Sequence, residues 1–231
     1  MHIFHGESCM NNTSPRPFSW TPESITYFWN LLSETSLMRF SFGKVCGKPA
    51  LQDLKNYITT QETILDFGAG DGEITEMLLQ QDYKVAIYEP SSGRSATIHK
   101  KNLEQYSNFI GYVAFEDEKS VQDTFDVILL FEVLEHIHPI FFKETVEKIV
   151  AHLTPSGKII GTVPDNEDLE DAFCVCPQCG SLFHRWQHMR SFTEASLQQL
   201  LQEMKMRPLT IKRASYAPSL FFMAAKTATP D

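Results

Sequence analysis

Three of the chain's five cysteines and two of its eight histidines fall within fifteen residues, CVCPQCGSLFHRWQH, positions 174 to 188. In CPQC followed by Gly180, two thiolates can face one metal while the glycine leaves backbone amides free to bond sulfur. His184 and His188 stand four apart, so on a helical turn they share a face. Cys176, Cys179, His184 and His188 together read as a closed tetrahedral set for zinc, with Cys174 as a spare for either histidine. A closed set is structural, because a catalytic zinc keeps one position open for water. The expectation is a zinc that pins this segment, residues 172–190, as a lid over a substrate. Buried free thiols and a redox pair are the alternatives.

A second pattern with chemical content is DFGAGDG, Asp66 to Gly72. Glycines at 68, 70 and 72 let a strand-to-helix turn bend sharply and approach a ligand at a helix N-terminus. A dinucleotide fingerprint requires GxGxxG, and Glu73 stands three after Gly70, an acid badly placed for a pyrophosphate. Glu89 follows twenty-one residues after Gly68, where a carboxylate can accept both hydroxyls of a ribose. The pattern points to a nucleoside with no phosphate on the turn.

These groups need a scaffold, and the rest of the chain supplies one. A chain of 231 residues, 42% hydrophobic, is large enough for one single-core domain. With 20 Lys and Arg against 29 Asp and Glu, the net charge is -9, so the positive field that draws phosphate backbones is missing and nucleic acid is a poor partner. Apolar runs such as VILLF fall far short of the ~20 residues that span a bilayer, and the N-terminus shows no charged-then-apolar signal. Scattered and clustered thiols do not form a disulfide framework, which fits a reducing, cytoplasmic setting.

Residues 1–17 read as a loose tail. Thr21 caps a helix with Pro22 at its first position, and Ile25, Phe28, Trp29 and Leu32 repeat at helical spacing, predicting one buried face in a helical cap over 21–57. Trp20, Phe28 and Trp29 are expected in the core rather than around a substrate. TILDFG, YKVAIYE, FIGYVAF, FDVILLF and KIIGTV read as strands alternating with helices across 61–163, the second helix running to about Tyr106 and Pro155-Ser156-Gly157 separating the last helix from its strand. That alternation means right-handed crossovers and a doubly wound, mostly parallel α/β sheet. Thr193 caps one more helix, stapled by Phe192 onto Leu197, and strands near LTIKRASY and LFFMAAK close the region 193–227 as an antiparallel hairpin. The total is seven strands.

ILDFGAGDGEIT, the acid of VAIYEP and FDVILLFEVLEHI together resemble the class I methyltransferases that use S-adenosylmethionine, and in particular the small-molecule branch that includes the ubiquinone-biosynthesis O-methyltransferases. The resemblance is strong over roughly 61–163 and looser beyond. It implies a seven-stranded Rossmann-like sheet. It also implies that Asp66, Gly68 and Gly70, with Ala69 between them, line the methionine moiety, that Glu89 holds the ribose, and that Phe131 and Glu132 floor the site near the methyl group. An adenine-side acid is implied at Glu116 or Asp117. The reaction implied is transfer of the methyl group to a small-molecule acceptor, leaving S-adenosylhomocysteine. If the acceptor is a hydroxyl, a base must take its proton; His136 and His188 are the candidates, with Glu132 behind them. A rival reading is a non-catalytic binding protein whose metal knob docks a protein partner. A nicotinamide dehydrogenase is disfavoured by the missing third glycine.

Overall fold

The computed structural model describes residues 14–115 and 123–227. The adenine-side expectation at Glu116 and Asp117, and most of the expected tail, lie outside these residues.

Along the chain, β1 (Arg16–Pro17) precedes α1 (Pro22–Ser33), a 3-10 turn at Ser36–Phe40 and α2 (Phe42–Leu54). There follow β2 (Thr63–Phe67), α3 (Glu73–Leu79), β3 (Lys84–Tyr88), α4 (Ser92–Lys100), β4 (Phe109–Tyr112), β5 (Phe125–Phe131), α5 (Pro139–Ala151) and β6 (Leu153–Pro164). A short hairpin of β7 (Phe173–Val175) and β8 (Ser181–His184) leads to α6 (Glu194–Glu203), then β9 (Met206–Arg213) and β10 (Ser219–Lys226).

Seven strands form one sheet in the order β4-β3-β2-β5-β6-β10-β9. All neighbours are parallel except β10, which runs antiparallel to β6 and β9. Alternation along the central strands separates two apolar layers: Leu65, Ile128 and Leu130 enter one buried cluster, Ile64, Val127 and Leu129 the other. A strand buried on both faces reads as a continuous apolar run, which is why FDVILLF has no polar stripe. Strand order reverses between β2 and β5, and in such sheets ligands bind beyond the carboxyl ends of the strands at that point.

Capping follows the sequence expectation. Thr21 and Ser24 form a capping box on α1, as Thr193 and Ser196 do on α6, each worth about 1 kcal/mol. Phe192 and Leu197 share the same buried cluster.

Three local expectations are corrected. The helix after β3 stops at Lys100, where Asn102 takes a left-handed conformation before a 3-10 turn at Leu103–Gln105. Pro155-Ser156-Gly157 does not divide helix from strand: Phe125 pairs with Leu153 and Val127 with Lys158, so β6 takes up the intervening residues as an irregularity. Arg16 and Pro17, assigned to the loose tail, pair in parallel with Ser181 and Leu182 of β8 and complete a second, three-stranded sheet, β1-β8-β7. Among the described residues, no helix is long and apolar enough to cross a membrane.

Candidate functional site

The glycine turn leaves β2 with Gly68, Gly70 and Gly72 all at positive φ, 75°, 60° and 71°. Side chains rarely adopt that conformation, and at two of these positions there is no room either. A Cβ on Gly68 would stand 2.9 Å from Val133, and one on Gly70 would stand 3.1 Å from the Arg94 guanidinium. The amides of Gly68 and Ala69 both donate to the Tyr88 carbonyl, tying the turn to the end of β3.

Glu89 is the next residue. Its two oxygens accept the Gly70 and Ser91 amides, each at 2.8 Å. Burial raises the carboxyl above its ordinary value, and Arg94 with the two amides opposes that rise. Asp66, at the end of β2, is almost fully buried and accepts the Thr75 hydroxyl at 2.5 Å. Burial pushes it up to about 6 against that bond.

Both groups line one cavity of about 770 Å³, within the range of small-molecule and cofactor sites. Its walls include Asp66, Gly68, Ala69, Gly70 and Glu89, together with Phe131, Glu132, His136, Glu167 and His188. Phe131 stacks on Phe42 with ring centres 5.6 Å apart. Every expected cofactor-side and catalytic residue within the described part of the chain therefore faces the same space.

Trp20, Phe28 and Trp29 depart from the core expectation. None is fully buried, and the helical spacing of α1 buries Leu32 alone. Trp29 instead lines the cavity, lies under the Arg94 guanidinium at 4.2 Å, and meets the His136 ring edge-on. Its indole N–H donates to Gln187 Oε1 at 2.8 Å, while the Gln187 amide donates to the His136 carbonyl at 3.0 Å. Gln187 is fully buried at φ 62°. It latches α1 to the segment after β5.

The four-ligand zinc set is not assembled. Among the described residues, two groups of three or more His, Cys, Asp and Glu ligand atoms lie within 4.8 Å of one another: Glu135, His136 and His188, and Glu167, His184 and His188. Neither includes a cysteine. Cys176 and Cys179 stand at the β7–β8 turn, where the Cys179 thiol donates to the Ser181 hydroxyl and Gly180 takes φ 69°. The histidines are engaged elsewhere. His184 Nδ1 accepts the amides of Trp186 and His188 at 3.2 and 3.1 Å, and His188 Nδ1 bonds Glu167 Oε2 at 2.5 Å. His184 ends β8 instead of lying on a helix, so the four-residue spacing reflects a looped-back main chain and not a shared helical face.

Within the cavity wall, Glu132 at φ 52° leads through the fully buried Glu135 to His136. Both Glu135 oxygens, Glu132 Oε1 and His136 Nδ1 are buried without hydrogen-bond partners. Burial and the adjacent Glu132 push Glu135 well above the carboxylate range. Burial, with His188 and Arg94 near by, holds His136 well below the usual imidazole range. Sequence reasoning missed Arg94, Glu167 and Gln187. Only their places relative to recognised motifs gave any signal: Arg94 five residues past Glu89, Gln187 inside the cysteine–histidine segment, and Glu167 five residues before that segment begins.

A family model described as a methyltransferase domain matches residues 40–205. The chain belongs to that family. It is a class I methyltransferase, and the fold has many counterparts among solved structures. Burkholderia thailandensis 1,6-didemethyltoxoflavin-N1-methyltransferase, solved with 1,6-didemethyltoxoflavin and S-adenosylhomocysteine, is 20% identical with a TM-score of 0.70, covering 92% of this chain and 94% of that one. DhpI, solved with S-adenosylhomocysteine, is 14% identical with a TM-score of 0.67, covering 90% and 97%. The glycopeptide N-methyltransferase MtfA, complexed with sinefungin, is 11% identical with a TM-score of 0.60, covering 78% and 93%. No curated protein matches the methyltransferase by sequence.

Proposed function

We propose that this methyltransferase uses S-adenosylmethionine and delivers its methyl group to a small-molecule acceptor. The observation that carries the reading is the joining, in one cavity at the sheet's switch point, of the glycine turn and Glu89 with the histidine wall. The residues fit the donor. Gly68 and Gly70 leave a cradle that a Cβ would fill, Glu89 lies beside it for ribose hydroxyls, and Asp66 offers a carboxylate toward the methionine end. When bound, S-adenosylmethionine supplies a methyl group already activated by its sulfonium. The protein's part is to hold the acceptor in line and to exclude water. Trp29, Ile137, Phe141 and Trp186 give the remaining wall an apolar, largely aromatic character, which suits a flat acceptor more than a highly charged one.

Titration calorimetry of the full chain with S-adenosylmethionine, followed by transfer of label from the methyl-tritiated donor into host-cell extract, tests this. The expected result is donor binding and label in the small-molecule pool. Label confined to protein or nucleic acid, or no donor binding, refutes it.

A further inference from the structure

The buried His184, the partly buried His188 and Glu167 have an arrangement that the methyl donor does not explain. His184 Nδ1 accepts two main-chain amides, so the proton of its neutral ring must sit on Nε2. That nitrogen is buried in a residue only 2% exposed, has no hydrogen bond of full geometry, and faces Glu167 Oε1 at 3.3 Å. A nitrogen carrying a proton donates and does not ligate a metal. The other Glu167 oxygen accepts from His188 Nδ1. With Nδ1–H committed there, the His188 lone pair is on Nε2, and the ring lines the cavity with its centre 4.8 Å from that of His136.

We propose that Glu167 is a positioning residue that makes His188 Nε2 the proton acceptor for a methyl acceptor bearing a hydroxyl group. The proposal rests on the methyltransferase reading above and names its substrate class. A carboxylate that fixes a ring's tautomer and steadies the imidazolium is the arrangement by which a histidine serves as a general base. His184, fixed by the main chain, turns Nε2 toward the second Glu167 oxygen at 3.3 Å. Burial raises the Glu167 carboxyl, and the bonds from His184 and His188 overcome that and draw it down to about 2, so the anchor is ionised. His136 lacks such an anchor: the Glu135 carboxyl, which burial and Glu132 push well above the carboxylate range, stands 3.8 Å from its Nε2 and makes no hydrogen bond.

In the step itself, the acceptor O–H bond breaks and its proton moves to His188 Nε2. The oxygen's electron pair forms the new bond to the methyl carbon of S-adenosylmethionine. The electrons of the broken carbon–sulfur bond remain on sulfur as the neutral thioether, and the imidazolium later gives its proton to water. A phenolic or enolic hydroxyl fits best, since a proton with a pKa near ~10 is within reach of an imidazole while an alkanol's is not.

Glu167→Gln gives a sharp test. With His184 Nε2–H facing one oxygen position of residue 167 at 3.3 Å, the amide oxygen is expected there and the NH2 opposite His188 Nδ1, which moves the ring proton onto Nε2. Long-range proton–nitrogen spectra of the full chain labelled with 15N-histidine should show His188 as the Nδ1–H tautomer in the wild type and as Nε2–H in the variant. Transfer of tritiated methyl into the phenolic fraction of the extract should fall by roughly 10²- to 10⁴-fold, with donor affinity by calorimetry unchanged. A wild-type His188 protonated on Nε2 overturns the proposal without any variant. So does undiminished transfer by Glu167→Gln, or label found only on nitrogen or carbon. Failure of the wild type to bind donor would refute the parent reading and this proposal together; the other failures occur with binding intact.

Discussion

A side chain at position 68 would have to occupy both a left-handed conformation and space already held by Val133. Gly68→Ala is expected to cost about 1–2 kcal/mol from the backbone alone, a fall of roughly 2–8 °C in a thermal scan of a chain this size, and to weaken donor binding at least tenfold by calorimetry. Asp66 gives a different residue-scale signature. Its carboxyl is raised from 3.8 to about 6 in the folded protein, so folding favours its protonated form. Its contribution to stability therefore declines as pH rises from about 4 to about 6. Donor binding should run the other way if the ionised carboxylate meets the methionine ammonium: affinity is expected to fall as pH drops below about 6. Asp66→Asn should leave affinity flat across that window in the same titration.

At the scale of elements, the latch between α1 and the loop after β5 hangs on one glutamine. Removing the Gln187 side chain leaves the Trp29 N–H and the His136 carbonyl unpaired, a loss of about 1–3 kcal/mol. Because Gln187 sits at φ 62°, Gln187→Gly should be the milder variant and Gln187→Ala the harsher, with both increasing amide exchange in α1. If α1 exchanges as in the wild type in both, the latch is not what holds the helix down. The α/β order, the seven strands and the glycine turn were legible because each rests on local pattern: apolar runs, caps, and a turn that only glycine can make. The site's acceptor half was not. His184 and His188 carried a metal-like spacing, yet their rings are claimed by the main chain and by Glu167, which lies seventeen residues before His184 and outside the cysteine–histidine segment. Trp29 was legible as half of an amphipathic helix, but a helix face cannot tell core from cavity wall.

Over the whole molecule, Glu167 is one contributor to the acid limb of stability. Its carboxyl is lowered from 4.5 to about 2 on folding, so it contributes stability fully above about pH 5, and that contribution is lost as pH falls through about 2. Acid titration followed by near-ultraviolet dichroism should show a shallower loss between those limits in Glu167→Gln; an identical curve would mean the carboxylate carries none of it. The sheet's own order has a separate consequence. The last strand in the chain, β10, lies between β6 and β9 and pairs with Ser219 opposite Pro164 through Ala225 opposite Lys158. Until that strand leaves the ribosome, the nascent chain carries an unsatisfied, strongly apolar edge at β6 next to an otherwise complete parallel sheet. Open edges of this kind recruit other chains, so chains truncated before residue 219 are expected to aggregate, and the docking of β10 onto β6 is the moment at which the protein becomes safe from its own copies.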